Sequence, residues 1–368
     1  MTPRERVLAI LRGEQPDQVP WFADLDYWAT ALIARGERPQ DFKTSDAYLD
    51  WHRELGAGFY LQGYFPFKEL PQACKVHTWS ENKHRYRTIE TPKGTLRECW
   101  YWSDTTSSEA PIERLVKTTA DLPAYRWFFE HMEYEPDYAQ AELRREQVGD
   151  YGVVLCYTHR SPFMNMVAID SGIENVVDIF MSAPDELTAT LETIKASMDR
   201  AVALVLESPA EIVMTPENLS AEVVGPTFFE LFMKAHQTDW KNKIHAAGKF
   251  SCIHMDGTLK GLLRQEAAVG FTFIEALTPA PTGDLAIEEW AGYLGDSKTI
   301  GWGGIPGAYF TAQTSEAEFE RLVKHVLSVM RKEPRYVLGV ADQVPPDGLT
   351  SRVKRVRELV DEFGAYER

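Results

Sequence analysis

Cysteine is scarce in this chain: four in 368 residues, at Cys74, Cys99, Cys156 and Cys252, with no CxxC pair among them. Such scattered thiols give no disulfide framework to expect and fit a reducing cytoplasm. The N-terminus lacks the charged-then-apolar pattern of a secretory signal. No apolar run nears the roughly 18 residues of a membrane span. A soluble cytoplasmic protein is the expectation. Positive charge is also short, with 39 Lys and Arg against 55 Asp and Glu and a formal charge of −16, so the surface field repels nucleic acid and anionic lipid. There is no internal repeat, low-complexity tract or Pro/Gly/Ser linker. The glycine-rich run Gly301 to Gly307 does not have the spacing of a phosphate loop, so no nucleotide site is expected; at a strand end it could let a large ligand approach the backbone.

What is present is the composition of a folded protein, 44% hydrophobic and 26% charged, at a length suiting one large βα barrel with insertions. Thr2-Pro3-Arg4-Glu5 is a helix start, with a Thr cap, a Pro in the first turn and Glu5 three residues after the cap. Strand-like runs follow at Val19 to Ala23, Phe59 to Gly63, Tyr151 to Tyr157, Glu211 to Met214, Lys249 to His254, Phe271 to Ala276, Thr299 to Trp302 and Tyr336 to Ala341. From residue 151 onward amphipathic helical segments separate them, and Leu115 to Val148 reads as helical with a break at Pro123. Eight strands alternating with helices predict a single-domain (β/α)8 TIM barrel over residues 1–368. Residues 76–103 break the rhythm. Alternation on either side of Thr91-Pro92-Lys93-Gly94 reads as a β-hairpin insertion over one mouth of the barrel.

In such a barrel the active-site groups come from the residues just after each strand. The sharpest stretch is Gly248 to Gly257. Strand alternation puts Cys252, His254 and Asp256 on one face and Ile253 and Met255 on the other. The other strand ends add Asp24 and Asp26, Arg160, Glu217 and Asn218, Glu275, and Asp342 and Gln343. His254 and Asp256, with Glu217, Glu275 and Asp342 available from other strands, can supply three or four ligands for zinc with one position open; the alternative is a His–Asp hydrogen-bonded pair. Cys252 sits one pleat deeper and reads as a buried hydrophobe. Arg160 is a candidate anion clamp, a surface or capping role being as good an account. Trp21, Tyr27 and Trp28 are candidates for an apolar or aromatic substrate pocket, though core packing explains them equally well.

Several segments resemble the uroporphyrinogen decarboxylase superfamily, in its branch of corrinoid-linked methyltransferases: Thr2 to Leu8 through Gly13 to Pro20, the hairpin Thr88 to Glu98, Ala246 to Lys249 leading into His254-Met255-Asp256-Gly257, and Gly301 to Ile305. The resemblance implies the same barrel. Classical members carry an arginine-rich N-terminal motif for the substrate's carboxylates. Here the corresponding Phe22 to Trp28 is acidic and aromatic, which argues against a polycarboxylate porphyrinogen. The methyltransferase branch binds zinc through a His-x-Cys pair and a distant Cys. His254 matches that histidine, Asp256 stands in place of the cysteine, and Asp342 lies near the last ligand.

The resemblance thus implies a zinc-dependent methyltransferase with oxygen replacing sulfur. The metal would polarise a methoxy or methylamine group so that a corrinoid on a partner protein takes the methyl. Asp24, Asp26, Arg160 and Glu275 are the expected catalytic or orienting groups, with Asn218, Gln343 and the N-terminal aromatics binding substrate. A homodimer is a family-level expectation. The competing readings are a metal-free decarboxylase of an acidic substrate and a non-catalytic binding barrel.

Overall fold

The computed structural model describes residues 1–60 and 63–367, in two compact units. One comprises Met1–Tyr64, Tyr138–Tyr157 and Ser208–Arg368, the other Phe65–Asp137 and Thr158–Glu207.

In the first unit a seven-stranded parallel sheet runs in the order Trp21–Phe22, Tyr336–Ala341, Ile300–Pro306, Phe273–Leu277, Phe250–Met255, Ile212–Leu219, Leu155–Tyr157. Every residue of Ile300–Pro306, Tyr336–Ala341 and Phe273–Leu277 is buried. Such unbroken burial is what parallel strands covered on both faces require, and explains why these segments read as continuous apolar runs. A shorter parallel pair, Phe59–Tyr60 with Gly152–Val153, precedes Leu155–Tyr157, and a bridge between Phe22 and Gly58 ties it to the first strand. The sheet curls as in a TIM-like fold, and helices such as Lys234–Ala246, Glu316–Met330 and Thr350–Phe363 follow its strands. The strand expected over 59–63 is seen at Phe59–Tyr60; Leu61 and Gln62 lie outside the described residues.

Inside the curl, Phe22, Tyr60, Phe273 and Trp302 pack ring against ring, Trp302 lying 5.0 to 5.4 Å from the other three. The glycines of the Ile300–Pro306 strand serve this packing rather than a ligand. A Cβ on Gly303 would stand 2.3 Å from the Leu277 carbonyl oxygen, with φ at +149°, so the neighbouring strand occupies the space that the sequence left open for a large ligand. The first helix, Pro3–Leu11, starts with the expected capping box between Thr2 and Glu5.

The second unit differs from the expected single hairpin. His84–Thr91 and Gly94–Ser103 are the middle strands of a four-stranded antiparallel sheet that also includes Lys75–Glu81 and Ser108–Glu113. A further antiparallel pair joins Phe67–Pro71 to Met132–Pro136. The latter falls inside the stretch expected to be helical: Leu122–Glu130 and Ala139–Val148 are helices, while Met132-Glu133-Tyr134-Glu135 alternates and pairs. Helix Leu122–Glu130 covers Ile89 and Leu96 on one face of the four-stranded sheet. No helix among the described residues is long and apolar enough to cross a membrane.

Candidate active site

Strand alternation determines which expected residues converge. His254 pairs in register with Glu275 across adjacent strands, so the two side chains share a face. Glu275 Oε2 lies 2.6 Å from His254 Nδ1, and the Tyr60 hydroxyl donates to Oε1 at 3.3 Å. Asp342 Oδ1 stands 3.7 Å from Nε2, on the other side of the ring. Asp24 is buried two residues beyond inward-facing Phe22, and its carboxylate accepts the backbone N–H of Asp26 at 2.8 Å. Asp26 in turn pairs with Lys43 at 2.8 Å.

The electrostatics are those of acids crowded round one cation. Burial alone would depress His254, but the charge and hydrogen bond of Glu275, with Asp342 and Asp256 behind them, raise it to about 9. His254 is therefore an imidazolium at neutral pH. Loss of solvent raises Asp342 to about 6, Asp256 and Glu275 adding to the rise and His254 opposing it, although about half of its side chain stays open. Asp24 is raised well above the usual carboxylate range by burial, then by Asp26, Glu275 and Asp342. Cys252 is fully buried and its thiol is pushed well up by burial and by Glu275. It stays a neutral hydrophobe, as its depth on the strand suggested.

Other expected residues lie elsewhere. Met214 is in register with Cys252 and so faces the same way, but the strand register shifts between Thr215 and Leu219, and Glu217 within that irregularity meets helix Lys234–Ala246 instead. There it is fully buried, accepts from Gln237 Nε2 at 3.2 Å, and adds to the rise that burial imposes on Glu266. Glu217 is thus removed from the expected zinc quartet of His254, Asp256, Glu217 and Asp342. Glu275 occupies Nδ1 of the histidine, and among the described residues no group of three or more His, Cys, Asp and Glu is placed to hold a metal ion. As they stand, the residues do not fit a zinc centre.

Trp21 alternates with inward-facing Phe22, so it turns outward and stacks on Phe310 at 6.4 Å. Trp28 is buried on helix Asp26–Ala34, 4.9 Å from Trp51, and lines a separate cavity of about 620 Å³ with Arg35, Arg38 and Pro346. Neither belongs to a pocket around His254. Tyr27 is half-buried in the first turn of that helix, Asn218 is exposed at the end of the Ile212–Leu219 strand, and Gln343 follows Asp342. Arg160 belongs to the other compact unit, not to the one that assembles the His254 cluster.

Three tyrosines outside the expected site residues respond to the same acids. The hydroxyls of Tyr48 and Tyr157 are raised well above their usual range by burial and then by the carboxylates Asp24 and Asp26, and Tyr60 bonds Glu275 directly. Tyr157 ends a strand, so the strand-end rule that selected the acids would have selected it too. A further signature is backbone strain: Asn218 and Ala276, next to last in their strands, and Asp342, just after its strand, hold φ of +51°, +69° and +71°, a conformation that side chains with a Cβ resist.

Comparison with known proteins agrees with this architecture. The structure of a methyltransferase from Methanosarcina mazei superposes with a TM-score of 0.64 over 99% of both chains, at 14% sequence identity, a likeness of fold. No curated protein matches in sequence. The sequence model of the uroporphyrinogen decarboxylase (URO-D) family matches residues 129–363, close to two thirds of the length, and the chain belongs to that family.

Proposed function

We propose that this chain is a methyltransferase that removes the methyl group from a small, uncharged methoxy compound. The observation that carries the reading is the His254–Glu275 pair, in which a buried imidazole is held protonated with its Nε2–H left for a ligand. Cleaving an O–CH3 bond leaves charge on oxygen, and an acid within reach of that oxygen lowers the barrier. In the step, the C–O bond breaks, the methyl passes as a formal cation to a low-valent nucleophile, and the oxygen takes the Nε2 proton to leave as a neutral alcohol or phenol. Glu275 fixes the ring and stabilises its charge. Asp342, raised to about 6, is placed to relay a proton back to the ring.

A corrinoid in its Co(I) state on a partner protein is the acceptor this reading requires, because it supplies the electron pair that forms the new carbon bond. An uncharged substrate suits the electrostatics. Carboxylates at Asp256, Glu275 and Asp342 repel anions, which argues against decarboxylation of a polyacid. They would also stabilise a methylammonium ion before reaction more than during it, since its charge is being lost.

The test is demethylation of a panel of methoxy compounds with free cob(I)alamin as acceptor, followed by the appearance of methylcobalamin. Turnover by the wild type that falls by roughly 10²- to 10⁴-fold in His254→Ala supports the reading. Absence of methyl transfer together with release of CO₂ from acidic substrates would replace it with decarboxylation.

A further inference from the structure

Where the strands of the first unit begin, at the far end of the sheet from His254, four segments of that unit close round a cavity of about 300 Å³. Arg12 follows helix Pro3–Leu11, and Arg145 lies on helix Ala139–Val148. Ser208 to Glu211 lead into the strand Ile212–Leu219, and Ala247 to Lys249 lead into Phe250–Met255. The chain as a whole has a formal charge of −16. This lining reverses the sign: among the described residues it sets Arg12, Arg145 and Lys249 against a single acid, Glu211.

The partners of each charge decide what the cavity can take. Glu211 is fully engaged, since Arg4 donates to both of its oxygens, one of them at 2.9 Å, and the Val154 N–H donates to Oε2 at 3.3 Å. Lys249 is partly engaged. Its ammonium donates to the carbonyl oxygens of Ser208 and Ala210 at 2.7 and 2.6 Å, which leaves one N–H over. Among the described residues the guanidiniums of Arg12 and Arg145 have neither an ion pair nor a hydrogen-bonded acceptor. Cations that served only to cap helix ends would spend their N–H groups on carbonyl oxygens, as Lys249 does and the two arginines do not. The uncompensated charge is felt within the cluster: burial lowers the pKa of Lys249, and Arg145 adds to the fall.

We propose that this cavity binds the phosphate group of a small phosphate monoester. Such a group carries close to two negative charges and three strong acceptor oxygens, which two forked guanidiniums and one ammonium can share. A carboxylate would occupy one arginine and leave the other bare. The volume lies at the lower end of the roughly 300–1,000 Å³ usual for small-molecule sites, so an organic portion fits beside Leu8, Pro209 and Phe250, where inorganic phosphate alone would leave space. Strand Phe250–Met255 starts at this cavity and reaches His254 about 13 Å further on. The ligand is therefore distinct from whatever reacts at His254. With no histidine, cysteine or tyrosine in the lining, the cavity is a place for binding rather than chemistry.

The experiment is titration calorimetry of the full chain at fixed ionic strength with glycerol 3-phosphate, inorganic phosphate and glycerol. The expected result is saturable binding of glycerol 3-phosphate, severalfold tighter than that of inorganic phosphate, and none of glycerol. Arg12→Gln and Arg145→Gln each weaken it about tenfold. Arg38→Gln removes the same charge from an exposed guanidinium outside the cavity and leaves the affinity unchanged. All three side chains are exposed, and thermal melts check that the variants fold. Absence of saturable binding up to millimolar concentrations, or an equal loss in Arg38→Gln, overturns the proposal. Inorganic phosphate that binds at least as tightly as the ester overturns it in favour of free phosphate.

Discussion

Glu275 and His254 sit on neighbouring parallel strands, in register, with Oε2 2.6 Å from Nδ1. That single relationship determines the protonation state of the candidate site. Glu275→Gln keeps the shape and removes the charge, so the imidazole loses its main stabiliser while keeping the burial that lowers it. The expected outcome is a fall in the His254 pKa from about 9 to below its ordinary value near 6.5, measured by NMR titration of the ring protons.

The same shift gives stability a pH dependence. His254 binds its proton more tightly folded than unfolded, so its contribution is fully present below about pH 6.5 and is lost as pH rises through about 9. The size is on the order of 3 kcal/mol. Urea midpoints measured between pH 6 and 10 should decline in wild type and decline less in His254→Gln. A flat wild-type profile would mean that the ring is neutral in the folded state.

Zinc provides a direct contest with the protonated histidine. The arrangement of the donors predicts that protein purified without chelator carries no stoichiometric zinc, and that added zinc leaves the His254 titration in place. Near-stoichiometric metal that is lost in both His254→Ala and Asp342→Ala would show instead that the carboxylates close round a metal and that His254 is neutral.

Arg144 is the largest test of the scaffold behind the site. It is fully buried and donates to the carbonyl oxygens of Lys43 and Ser45 at 2.8 and 3.0 Å, fixing the segment whose Lys43 pairs with Asp26. Arg144→Met fills part of the space but leaves both acceptors bare, and should cost about 2 to 4 kcal/mol in denaturant unfolding.

Which parts of this were legible in the sequence follows from period and sign. Long buried runs such as Tyr336–Ala341 announce parallel strands wherever they occur, and the alternation that joins Cys252 and His254 needs only the strand to be identified. Trp21 and Glu217 lie away from His254 because being near a strand end does not determine the face: Trp21 alternates with Phe22, and Glu217 sits in the register shift between Thr215 and Leu219, which no sequence pattern announces. Met132–Pro136 was hidden because five alternating residues between two helices look like a continuation of either. The role of Glu275 as partner to Nδ1 depends on inter-strand register, which no single strand carries.

The strained residue next to that partner has a consequence for anyone seeking a hardier protein. Ala276 holds φ at +69° immediately after Glu275, where glycine would relieve a conformational penalty of about 1 kcal/mol. Selection for heat resistance would therefore favour Ala276→Gly, and the same relaxation would loosen the peptide that aims the Glu275 carboxylate. At this position, robustness and turnover are expected to trade against each other.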